Sequence, residues 1–236
     1  MKLTFRWYGP GDPVTLEQIR QIPTVSGIVS AVYDVRPGEP WSRESIAALK
    51  REAADCGLAF EVVESVPVPE DIKLGTERAP VLTEHYCETV RRLGEAGIRC
   101  ICYNFMPVFD WMRSDLNRTQ PDGAHALAYD EETVRQMDPL TGELALPGWD
   151  TSYRKEELQS LLRAYQALGE EGLWRNLQAF LEAVIPVAAA AGVCMAVHPD
   201  DPPWSIFGLP RILTNRTNLR RFLDLVPDVH NGLTFC

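Results

Sequence analysis

Short apolar runs and amphipathic helical segments alternate along this chain, and no other feature restricts its fold as much. "LTFRWYG" (3–9), "GIVSAVYD" (27–34), "LAFEVVES" (58–65), "IRCICYNFMP" (98–107), "VCMAVHP" (193–199) and "NGLTFC" (231–236) have strand length and strand composition. Between them lie helical patterns. "DPVTLEQIRQI" has Pro13 just inside a start and Asp12 as its expected N-cap. In "SRESIAALKREAADCG", Ser42 is the expected N-cap, Ile46, Leu49 and Ala53 share a face, and Gly57 is the stop. Further helices are predicted over about 81–96, in "SYRKEELQSLLRAYQAL", in "LWRNLQAFLEAVIPVAAAAG" and in "TNLRRFLDLV". Strand–helix alternation means parallel strands joined by crossover helices.

Two parallel architectures compete, the doubly wound sheet and the closed barrel. After the first strand there is no glycine-rich phosphate loop of the kind a dinucleotide fold carries. Polar and aromatic residues instead gather where strands end: Arg6-Trp7-Tyr8, Tyr33-Asp34, Glu64, Asn104, His198 and Cys236. That is the pattern of a TIM (β/α)8 barrel, whose chemistry sits at the C-terminal ends of its strands. Only about six of the eight strands are present, so the expectation is a single barrel domain over 1–236, truncated at its C-terminus. The stretch 108–152 is too long for an ordinary connection and reads as an insertion after the fourth strand. Trp111 and Trp149 within it suit a pocket cover or a subunit contact.

The chain has 236 residues and a net charge of −10, which disfavours a nucleic-acid backbone as partner. No window approaches the roughly 18 apolar residues of a membrane span, and "MKLTFRWYG" reads as a strand and not as a signal peptide. The six cysteines contain no CxxC pair and sit in apolar patterns, so reduced thiols in the cytoplasm are expected. Cys100, Cys102 and Cys194 read as core, and His85, His125 and His230 as surface.

Bottom-up, the candidate chemistry leaves alternatives open. His198, in "AVHPDDPPW" (196–204), is either a metal ligand or a histidine closing a strand before a rigid turn. Cys236 ends the next strand, and adjacent parallel strands lie about 4.8 Å apart, so the two could share an ion; packing is the alternative for Cys236. In "RWYG", Arg6 and Tyr8 offer a planar cation and a stacking face to a hydroxylated acid, or else a structural arginine beside a loop. Asn104, opening "NFMPVFDW", could bond a substrate hydroxyl, and Arg211 in "FGLPRI" points either at a substrate anion or at solvent.

Taken together, "FRWYG", "CYNFMPVFDW", "HPDDPPW", "FGLPRI" and "NGLTFC" resemble, in order, the mannonate dehydratase family. The resemblance implies a xylose-isomerase-like TIM barrel and a hydro-lyase. Its reaction would be the metal-dependent dehydration of D-mannonate to 2-dehydro-3-deoxy-D-gluconate in glucuronate catabolism. It implies Fe²⁺ or Mn²⁺, with His198 and Cys236 among the metal ligands, and it places the acid and base beyond Cys236. Arg6, Tyr8, Asn104 and Arg211 are then candidate substrate contacts, and Asp200 and Asp201 candidate supports for the His198 loop. A homodimer in the cytoplasm, with no nucleic-acid or membrane partner, completes the expectation. The rivals are a sugar isomerase or epimerase on the same barrel, and a truncated paralogue that binds a sugar acid without turnover. The isomerase would favour carboxylate-rich ligands, which Cys236 argues against.

Overall fold

The computed structural model describes residues 1–140 and 153–236. Trp149, and with it the 141–152 part of the predicted insertion, lies outside the described residues. Among the described residues the elements follow in the order β1 (Leu3–Arg6), α1 (Leu16–Arg20), β2 (Val25–Ser30), α2 (Arg43–Asp55), β3 (Ala59–Glu64), α3 (Glu70–Leu74), α4 (Ala79–Glu95), β4 (Cys100–Tyr103), β5 (Asp115–Thr119), β6 (His125–Ala128), α5 (Glu131–Gln136), α6 (Lys155–Ala191, two helical stretches joined at a kink at Gly169), β7 (Cys194–Val197), α7 (Arg216–Leu225) and β8 (Asn231–Leu233).

Six strands form one parallel sheet in the order β1-β2-β3-β4-β7-β8. The order never reverses. A doubly wound sheet turns back on itself at a switch point, whereas a barrel adds each new strand on the same side. The fold is therefore that of a (β/α) barrel with six strands present and no closure among the described residues: β1 and β8 each pair on one side only.

The chain divides into two compact units. The first comprises Met1–Phe105, Asn176–His198 and Arg220–Cys236, and the second Met106–Arg175 with Pro199–Leu219. In the first, the sheet turns Ile28, Phe60, Val63, Ile101, Tyr103, Met195 and Val197 into the core. Phe180 of α6 is the hub there, with ring centroids 5.0 Å from Tyr86, 5.8 Å from Tyr103 and 5.8 Å from Phe105. Helices α4 and α6 approach closely at Gly94, where a β-carbon would stand 2.7 Å from both the Cβ and the carbonyl oxygen of Ala191. In the second unit, β5 and β6 form an antiparallel hairpin followed by α5.

Several local expectations need correction. Asp12 does not cap α1. Thr15 does, accepting from the Gln18 backbone, while the Gln18 side chain accepts from Thr15 N–H in a full capping box. Asp12 instead accepts from the backbones of Tyr8 and Val14, fixing the turn between β1 and α1. Cys194 is exposed, and Cys100 and Cys102 are half-buried, because the opposite face of β4 and β7 meets the helices. His85 is part-buried and bonds the Gly38 carbonyl at 2.8 Å. Ser42 caps α2 as expected.

Candidate functional site

At the C-terminal ends of the sheet, register determines which side chains share a face. Tyr103 pairs with Val197, and Val197 with Leu233, so Asn104, His198 and Thr234 come level one residue later on three successive strands. The His198 N–H donates to the Tyr103 carbonyl at 2.7 Å, and Thr234 N–H to the Val197 carbonyl at 2.8 Å, which continues the ladder past the assigned strands. The Thr234 hydroxyl adds a bond to the Ala196 carbonyl at 3.2 Å. Cys236 follows two residues after Thr234, past the end of β8. His198 is half-buried and Cys236 exposed.

On the other side of β4, Glu64 pairs with Cys102, one repeat below Asn104 on the same face. Glu64 lies 3.8 Å from the Arg6 guanidinium, which also stands 4.7 Å over the Tyr8 ring. A carboxylate on one side and a π face on the other hold this cation in place, and its Nη1 is buried with no hydrogen-bond partner among the described residues. Trp7 is buried between them: its carbonyl accepts from Ser30 Oγ at 2.7 Å and from the Tyr33 hydroxyl at 3.3 Å. Burial pushes the Tyr33 phenol up, against the opposing pull of Arg6. Gly9 follows at φ +88°, and a side chain there would meet the Tyr33 ring at 2.9 Å. "RWYG" thus buries its tryptophan, fixes its arginine, exposes Tyr8 and turns on a glycine whose positive φ and close Tyr33 ring make any side chain strained.

In the second unit, the carboxylates after His198 are structural. Buried Asp200 accepts from the Ile212 N–H at 2.7 Å and from the Leu213 N–H at 3.0 Å. Asp201 takes a bidentate pair from Arg113 at 3.1 and 2.9 Å, and its N–H donates to the Met106 sulfur. Arg113 lies 5.1 Å over Trp111. Sequence reading missed Arg113; an arginine beside the aromatic Trp111 is the only signal it left. Arg211, expected at substrate or solvent, is 3% exposed, and its guanidinium donates to the Phe109 carbonyl. Trp204 donates to the Tyr129 hydroxyl at 3.0 Å.

A metal implied for this site has to be judged on its donors. His198 and Cys236 offer an imidazole nitrogen and a thiol sulfur, donors of the kind that suit a transition ion. They amount to two ligands, and no group of three or more His, Cys, Asp and Glu side chains that could hold an ion occurs among the described residues.

The same arrangement has relatives. A family model described as D-mannonate dehydratase (UxuA) matches residues 1–236. The chain belongs to the D-mannonate dehydratase family. A mannonate dehydratase of Streptococcus uberis is 55% identical over 236 residues, and mannonate dehydratase 2 of Halalkalibacterium halodurans 54% identical. The chain covers 68% of each of these relatives. The crystal structure of mannonate dehydratase from Streptococcus suis serotype 2 superposes with a TM-score of 0.90 at 47% identity, over 99% of this chain and 63% of that one. The chain therefore spans about two thirds of the length of its mannonate dehydratase relatives. No helix among the described residues is long and apolar enough to cross a membrane.

Proposed function

We propose that this chain carries the substrate-binding face and part of the metal site of a hydro-lyase that dehydrates D-mannonate to 2-dehydro-3-deoxy-D-gluconate in hexuronate breakdown. The observation that carries the reading is the match of the whole chain to the D-mannonate dehydratase family; Asn104 and His198, level at the ends of adjacent strands, support it. A cytoplasmic homodimer is the assembly this reading favours.

His198 and Cys236 would hold the ion, as neutral imidazole and thiolate, and Fe²⁺ or Mn²⁺ is the proposed metal. When bound, a divalent ion supplies Lewis-acid stabilisation of the charge that develops on the substrate carboxylate as the C2 proton leaves. The chain's own residues bind and orient. Arg6, already fixed by Glu64 and Tyr8, offers its guanidinium to the substrate carboxylate. Tyr8, half exposed, gives a hydroxyl and a ring face, and the Asn104 amide can both donate to and accept from a substrate hydroxyl. Asp200, Asp201 and Arg211 support the loops and do not touch substrate: each is engaged by backbone or by Arg113. The groups that take the C2 proton and protonate the leaving hydroxyl are assigned to none of these residues.

The test is incubation of the full polypeptide with D-mannonate and Mn²⁺ or Fe²⁺, following the 2-keto product. Product formation is expected. Stoichiometric metal binding and sugar-acid binding without product would support the non-catalytic paralogue instead. His198→Ala is expected to reduce bound metal at least tenfold; unchanged stoichiometry would remove His198 from the ligand set.

A further inference from the structure

Within the second unit, the loop that follows β4 and the loop that follows β7 interlock. Phe109 and Phe207 meet edge to face with ring centroids 5.4 Å apart. The Arg211 guanidinium donates to the Phe109 carbonyl, and the Asp201 N–H donates to the Met106 sulfur at 3.5 Å. The strongest tie joins Arg113 to Asp201, with two parallel bonds of 3.1 and 2.9 Å between largely buried side chains. Arg113 is itself held, since it donates to the Met112 carbonyl at 2.7 Å and lies over the Trp111 ring. Its guanidinium has a fixed place from which to grip Asp201.

We infer that Arg113 is a positioning residue for His198, acting through Asp201; the inference rests on the proposed role of His198 as a metal ligand. Asp201 lies three residues beyond His198 in "HPDD". Between them, Pro199 fixes its own φ at about −65° and confines the preceding His198 to extended backbone. Asp200 removes more freedom, because its carboxylate accepts from the Ile212 and Leu213 N–H groups and closes the loop on itself. The His198 N–H is bonded to the Tyr103 carbonyl at 2.7 Å. The segment 198–201 is thus pinned at its first residue by β4 and at its last by Arg113, with few free torsions between.

The aim of an imidazole at an ion follows from the direction of its Cα–Cβ bond, and that direction is set by the backbone on both sides. Groups that orient a metal-binding histidine are typically worth about 10- to 100-fold in affinity. Arg113 acts one contact further out, so the lower end, about tenfold, is expected of it. A planar guanidinium holds both Asp201 oxygens and fixes the carboxylate in rotation as well as in place; an ammonium holds it as a point charge. The loop after β4 thereby governs a ligand carried at the end of β7.

The test is Mn²⁺ binding to the full polypeptide by equilibrium dialysis, with free ion read from its EPR signal, at a temperature where circular dichroism shows each variant folded. Arg113→Met is expected to weaken Mn²⁺ binding about tenfold, and Arg113→Lys by less. Asp201→Asn should weaken it comparably, and the double variant should be no weaker than Arg113→Met alone, since both changes break one contact. The control is Arg43→Met, which removes another two-bond pair, with Glu95 at 2.8 and 3.1 Å between α2 and α4, and should bind as wild type does. An equal loss in the control, or Arg113→Met within about twofold of wild type, would overturn the inference. If Arg113→Met does not fold, Arg113→Lys decides, and a wild-type affinity there overturns it. The expected differences without product from D-mannonate would sink the dehydration reading and leave this inference in place, whereas a wild type that binds no Mn²⁺ would overturn both.

Discussion

Tyr103 shows at the scale of one residue how a barrel strand resolves a polar group in its core. Its ring packs against Phe180, its side chain is 1% exposed, and its hydroxyl has no hydrogen-bond partner among the described residues. Desolvation pushes the phenol far above its ordinary pKa, so it remains neutral and donates to nothing. Tyr103→Phe should then be neutral or stabilising by up to about 1 kcal/mol, since it removes a buried unpaired group and keeps the ring. A denaturation midpoint lower than wild type would show that the hydroxyl has a partner. Arg113 and Asp201 are the opposite case, a bidentate pair with side chains 16% and 27% exposed. Asp201→Asn should cost about 1–2 kcal/mol, between the values for surface and buried pairs. Arg113→Lys should recover only part of a charge-removing loss, because an ammonium cannot grip both oxygens. Equal stability of Lys and Arg at this position would show that bidentate geometry contributes nothing.

Among the elements, α5 depends on one carboxylate. Asp130 accepts from the Thr133 hydroxyl at 2.7 Å and the Thr133 N–H at 2.8 Å, and these bonds, the hydroxyl first, hold its pKa below the ordinary value. A depressed carboxyl stabilises the fold above its unfolded pKa and loses that contribution as pH falls through the folded one. The cap should therefore be intact at neutral pH and weaken in the acid range below about pH 4. Asp130→Ala should lower the melting temperature at neutral pH, with a smaller difference from wild type in acid. A difference that grows on acidification would refute the assignment. At the contact of α4 with α6, Gly94→Ala forces a methyl against Ala191 and should destabilise by about 1–3 kcal/mol in thermal or chemical melts. Not every element was legible beforehand. The strands of the large sheet announced themselves as apolar runs, but β5, "DLNRT", is polar and largely exposed, and β6, "HALA", is too short to show alternation. The five-residue α3, which starts at Glu70 directly after Pro69, offers less than two turns of periodicity. For α1, the Asp-Pro pair at 12–13 masked the stronger Thr15-to-Gln18 capping box.

Over the whole molecule, the direction of the sheet was readable and its sidedness was not. Polar residues at strand ends pointed to a barrel, and the unreversed strand order agrees. Alternation in β4 and β7 could not say which apolar face meets the helices, since Cys100 and Ile101 are equally acceptable in a core. The candidate site was legible in the same partial way. Asn104, His198 and Cys236 could be placed at strand ends, whereas the burial of Arg211 and the role of Arg113 depend on loop paths that leave no periodic signal. The short pairing of β8 with β7, three register pairs in length, has a temporal consequence. A long stretch of chain separates His198 from Cys236, and that stretch must be closed before the two donors meet. An ion held by both, as proposed, would tie β8 to β7 like a latch, so its binding should appear as slowed amide exchange in β8.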